Sequence, residues 1–149
     1  MMEDTNENNL FFVCSLIEYI ARKTKNEKKN IIIKLGKEKI KKIYDLAEVY
    51  HSENIDKITD ELIEKYNINN SNYDILSNIR NTNPPTYWDI GKVYKRLIIG
   101  LSNSESEYID KLIEVLTSWI ILKIDNYDSS LYYENPSYIE ACYKENKII

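Results

Sequence analysis

His51 is the one histidine in the sequence, so a Ser-His-Asp or Cys-His relay could only be built on it. Glu48, Glu53 and Asp56 lie close to it along the chain, a set that could serve a general base or hold a metal ion. A lone histidine at a helix end more often answers the helix dipole as a C-terminal cap, and His51 reads that way. Cys14 and Cys142 lie near opposite ends of the chain, with no CxxC and no Cys/His cluster beside either, a pattern that excludes zinc-site and redox motifs. Their apolar neighbours make each a small buried thiol in preference to half of a long-range disulfide. The carboxylates Asp56, Asp60, Glu61 and Glu64 read as an exposed helix face. Glycine occurs only at 36, 91 and 100, and neither GxGxxG nor a P-loop is present, so the backbone has little material for cradling phosphate. The expectation is therefore a non-enzymatic chain with no catalytic, cofactor-binding or metal-binding residue and no cofactor.

The charge distribution offers more. Net charge is -4, yet residues 22–42 hold ten basic and two acidic side chains, and residues 43–79 hold two basic and eight acidic ones. Such a dipolar chain can take a polyanion at one end. The basic run surrounds Gly36 and has the outline of a helix-turn-helix, which makes Lys28, Lys29, Lys37, Lys39, Lys41 and Lys42 candidate nucleic-acid contacts. Lysines grip phosphates as point charges, and no Arg, Asn or Gln on the second arm is placed to read a base edge. The competing reading is a solvated lysine face in a composition biased toward Ile, Lys and Asn. Lys92, Lys95 and Arg96 form a smaller basic group farther along. Tyr87, Trp88, Tyr132, Tyr133 and Tyr138 are candidates for a protein interface, since such rings bury a large area while keeping a polar handle. Their other use is to seal the ends of the core.

These residues must be carried by helices, because apolar spacing is helical almost throughout. Leu10, Val13, Cys14, Ile17, Ile20 and Ala21 line one face of a helix over residues 8–24, with Glu18 and Arg22 as an i, i+4 pair on the other side. Further helices are predicted over 27–35, ending at Gly36, then 37–51, 54–66 with Ser52 as its cap, 86–101, 105–124 and a short one from Asn135-Pro136. Thr86 and Asp89 are spaced as a capping box. Asn is concentrated between 67 and 85, where its side chain competes with helix by bonding the backbone, so this stretch is predicted as a loop with a single turn near 75–79. No segment alternates with period two. The predicted fold is all-α, an irregular bundle of six or seven helices with one Asn-rich loop around residues 67–85. One helical domain spans 1–149, with subdomains 1–66 and 86–149 as the alternative. No run approaches the length of a membrane span, and no basic region precedes the apolar residues 10–20, so the expectation is a cytoplasmic protein with no membrane partner.

Parts of the chain resemble a group of small helical proteins of AT-rich anaerobic Gram-positive bacteria. The likeness lies in Phe11-Phe12-Val13-Cys14-Ser15-Leu16-Ile17-Glu18-Tyr19, in Tyr44-Asp45-Leu46 through His51, in Asp60-Glu61-Leu62-Ile63, and in Leu131-Tyr132-Tyr133-Glu134-Asn135-Pro136-Ser137-Tyr138-Ile139. The resemblance implies a bacterial cytosolic protein with an accessory or antitoxin-like role, and it carries over no catalytic residue. Taken together, the expected function is a protein-interaction module that binds another protein or a second copy of itself. The alternative is a DNA-associated transcriptional regulator using residues 22–42 with help from Lys92, Lys95 and Arg96.

Overall fold

The computed structural model describes residues 4–74, 76, 83–128 and 131–149. Among them are eight α-helices and no strand: α1 (Thr5–Thr24), α2 (Lys28–Asp45), α3 (Ala47–His51), α4 (Ile55–Lys65), α5 (Tyr87–Leu101), α6 (Tyr108–Leu116), α7 (Ile120–Ile124) and α8 (Pro136–Glu145). Short 3-10 turns lie at Glu105–Glu107 and Leu131–Tyr133. The fold is the all-α bundle that the periodicity predicts.

The apolar face of α1 is buried as expected, but so are Phe12, Ser15, Leu16 and Glu18, so this helix is covered almost all round. A helix buried on every side belongs at the centre of a bundle, and α1 packs against α2, α3, α4 and above all α5. The approach to α5 depends on Gly91. A Cβ there would collide with the Ser15 side chain and stand 3.0 Å from the Ser15 Cα. The start of α5 is set by its own sequence: Thr86 Oγ accepts from the Asp89 amide (3.1 Å), while the Asp89 carboxylate accepts from the Thr86 amide (2.9 Å). Such a reciprocal cap stabilises by about 1 kcal/mol. The Asn135-Pro136 start of α8 is also as predicted, with Asn135 accepting from the Ser137 amide.

Elsewhere the helix ends move. The arms predicted on either side of Gly36 form α2, kinked at Gly36, whose φ of 79° costs a residue without Cβ nothing. The kink lets Ile31, Ile32 and Leu35 on one arm and Ile40 and Ile43 on the other all reach the core. The second arm stops at Asp45 and α3 follows, so the predicted helix 37–51 is divided at Leu46. Asn54, not Ser52, caps α4 by accepting from the Asp56 amide (2.8 Å); the Ser52 hydroxyl donates back to the Val49 carbonyl (2.7 Å) and closes α3 instead. The predicted helix 105–124 is divided as well. Thr117 and Ser118 turn their hydroxyls onto the Ile113 and Val115 carbonyls (2.7 Å each), which satisfies the end of α6 before α7 begins.

The Asn-rich segment begins as an ordered strap. Asn26 donates to the Asn69 carbonyl (2.9 Å), and the amides of Ser71 and Tyr73 donate to the Thr24 and Lys25 carbonyls (2.8 and 2.9 Å). The strap thereby binds the carbonyls that α1 leaves open at its C-terminus, and Ile68 enters the core. The turn predicted near 75–79 falls largely on residues outside those described.

Candidate functional site

The basic run of residues 22–42 is divided between the interior and the surface. Lys28, expected to contact phosphate, is 2% exposed and out of reach of any nucleic acid. Lys37 pairs with Asp110 (2.8 Å) and Lys41 with Asp45 (2.9 Å). Lys39 lies over the Tyr66 ring, 4.6 Å from its centroid. Lys29 and Lys42 are exposed. A phosphate arriving here would have to compete with the carboxylates already holding Lys37 and Lys41.

The reason Lys28 is buried lies in its helical position. It precedes Ile31, Ile32 and Leu35 by the spacings of one helix face, so folding α2 carries it inward with them. Two carboxylates receive it. Lys28 Nζ lies 2.6 Å from Glu18 Oε1 and donates to Asp125 Oδ2. The ammonium also stands 5.1 Å from the centre of the Tyr94 ring, whose hydroxyl donates to Asp125 Oδ1 (2.8 Å). Arg22 completes the set: its Nε donates to Glu18 Oε2 (2.6 Å) and its Nη2 to the Pro85 carbonyl (2.7 Å). The Glu18–Arg22 pair expected on an outer face is thus an interior contact.

Burial and pairing act against each other in this cluster. Burial pushes Glu18 up, but Lys28 and Arg22 together pull it below the usual carboxylate range. For Asp125 burial prevails, with Glu18 adding to it, and the group is raised despite Lys28. Burial likewise lifts the Tyr94 hydroxyl well above its ordinary value. The Cys14 thiol, also buried, is pushed up to about 12, which keeps it protonated and unreactive. Among the described residues no group of three or more His, Cys, Asp or Glu could hold a metal ion.

A second arrangement lies on the outside of α5. Lys92, Lys95 and Arg96 are spaced i, i+3, i+4 and so share one side of the helix; Lys92 and Arg96 are exposed and Lys95 is half-buried. A cleft of about 500 Å³ flanks them, lined by Phe11, Phe12, His51, Glu48 and the two lysines. A smaller one of about 270 Å³ is lined by Lys92, Arg96, Tyr132, Tyr133 and Glu134. Lys92 borders both clefts and is the ridge between them.

The predicted interface rings fall into this pattern unequally. Tyr87 and Trp88 (centroids 4.9 Å apart) belong to a connected set in which Tyr19 meets Tyr87 at 4.8 Å and Phe11 meets Trp88 at 5.5 Å. His51 stands edge-on to Phe12 (5.9 Å) and to Trp88 (6.4 Å), so it extends this aromatic row as well as ending α3. Lys95 lies over Phe11 at 5.6 Å. Tyr132 and Tyr133 meet at 4.8 Å and line the smaller cleft. Tyr138 stands apart, its hydroxyl donating to the Ile149 carbonyl.

The chain matches no protein-family model, no curated protein and no solved structure. The interface rings read from the sequence include Tyr87 and Trp88 but not Phe11, Tyr19 or His51, which tertiary packing brings to them from α1 and α3. Asp125 carries no motif that singles it out in the sequence.

Proposed function

We propose that the chain is a non-enzymatic helical binding module whose α5 face takes an acidic segment of another protein. The observation that carries this reading is the i, i+3, i+4 basic ridge of Lys92, Lys95 and Arg96 lying between two aromatic-lined clefts. Rings on both sides supply area that can be desolvated, while the basic ridge steers an acidic partner and fixes its register. Glu48 in one cleft and Glu134 in the other would repel a continuous phosphate backbone, yet a protein segment of mixed charge can place neutral or basic residues there. A regulatory or antitoxin-like role is the use such a module would have. The DNA-associated alternative draws less support, since Lys28 is interior and Lys37 and Lys41 already hold carboxylates.

The test is fluorescence anisotropy with three labelled probes: a random copolymer of Glu and Tyr, single-stranded oligothymidylate and a random-sequence duplex. The copolymer is expected to bind, and the Lys92→Glu/Arg96→Glu double variant to weaken it by about tenfold or more with helix content unchanged. Failure of the copolymer to bind at low salt, or tighter binding of either nucleic acid than of the copolymer, would overturn the reading.

A further inference from the structure

The C-terminal end of α6 opens into a cavity of about 320 Å³ that reaches Lys28 and Asp125 of the buried ionic cluster. Leu116, Trp119, Leu122 and Tyr73 give it apolar and aromatic walls. Its polar lining is Thr117, Ser118, Asp125 and Lys28, with Glu27 and Lys29 exposed at its edge and of opposite charge. The size and this mixture of apolar wall with a few convergent polar groups are those of a small-molecule site.

The donors around Asp125 are committed, and the further donors of the lining are Lys29, the Tyr73 hydroxyl and the Trp119 indole N–H. The Lys28 ammonium is shared between Glu18, Asp125 and the face of Tyr94. The hydroxyl protons of Thr117 and Ser118 are given to the Ile113 and Val115 carbonyls. Acceptor capacity remains, because each Asp125 oxygen takes one hydrogen bond, from Tyr94 or from Lys28, and has a second lone pair. The two hydroxyl oxygens likewise keep lone pairs once their protons are committed. The negative end of the α6 dipole lies at the same place, since Leu116, Thr117 and Ser118 are in the lining.

We propose that this cavity binds a small arylalkylamine as its ammonium ion, with the N–H groups on Asp125 and the Thr117 and Ser118 oxygens and the aryl body against Trp119 and Tyr73. Glu18, 2.6 Å from the Lys28 ammonium, offsets that charge only in part, because Arg22 shares the same carboxylate. The raised carboxyl of Asp125 supplies a further consequence: a bound cation favours its ionised form, so affinity rises as Asp125 loses its proton.

Isothermal titration calorimetry of the full chain with phenethylamine, 2-phenylethanol and phenylacetate tests this. Phenethylamine is expected to bind saturably, about tenfold or more tighter than the alcohol, with phenylacetate weakest. Thr117→Val, close in shape and lacking the hydroxyl, is expected to weaken the amine severalfold and leave the alcohol nearly unchanged. Asp125→Asn is expected to weaken the amine further, and if that variant does not fold, Thr117→Val decides. Equal binding of amine and alcohol, preference for phenylacetate, absence of saturation, or indifference of the amine to Thr117→Val would each overturn the proposal.

Discussion

Lys28 and Lys37 belong to the same helix and the same basic run, and they end in opposite surroundings. The Lys28 side chain is 1% exposed between Glu18 and Asp125, whereas Lys37 is 61% exposed and faces an Asp110 that is itself 64% exposed. Both are lysine–carboxylate contacts, so residue type and local charge density do not separate them. Their position relative to the apolar stripe of α2 does. Lys28 is in phase with Ile31, Ile32 and Leu35, and a side chain in phase with a buried stripe has to find its counter-charge inside the protein.

The contrast is broken most severely at Lys28. Lys28→Ala leaves Glu18 and Asp125 buried without their shared cation, and urea denaturation is expected to show a loss of about 3–5 kcal/mol. A cost no greater than that of a surface pair would mean the cluster is hydrated and the distinction false.

The pH dependence sharpens the comparison from the carboxylate side. Glu18 lies below its ordinary 4.5 in the folded chain, so its contribution is complete above that value and lost as pH falls through the folded value. Asp125 lies above its ordinary 3.8, so its contribution is present below that value and lost as pH rises through the folded value. Denaturation midpoints followed from pH 7 to 3 are therefore expected to fall less steeply below pH 4.5 in Glu18→Gln than in the unaltered chain. Part of the acid decline will persist in that variant, because hydrogen bonds from Tyr19 and Lys23 also hold Asp56 below its ordinary value. An acid limb as steep as before would show that Glu18 does not bear the charge assigned to it.

The smallest effect is expected at the surface. Lys37→Ala should change stability by about 0–1 kcal/mol in the same urea assay, and by less at high salt, since solvent screens the pair with Asp110. A salt-insensitive loss would place Lys37 nearer to Lys28 in kind.

Much of the fold was legible because it depends on neighbours within a turn or two. The Thr86–Asp89 box, the Asn135-Pro136 start and the apolar face of α1 are all matters of spacing between i and i+4, and each lies where the sequence predicts it. The breaks were harder. Thr117 and Ser118 end α6 by bonding backward to its carbonyls, a competition that an apolar stripe running on to Ile124 conceals. The α5 ridge could be read from its charges, but the row of Phe11, Tyr19, His51 and Trp88 beside it could not. Those rings come from three helices and meet only when the helices pack.

The amino-acid sequence by itself determined an all-α chain, most of its helix faces, and several of the caps that begin them. It also held the clue that Lys28 sits on a buried stripe. Only the tertiary structure decided which lysines remain surface charges, because the counter-ion that makes burial of Lys28 tolerable is Asp125, 97 residues away. A pairing at that separation is created by packing α1, α2, α5 and the end of α7 around one point, and the local interactions that set helix periodicity do not extend so far.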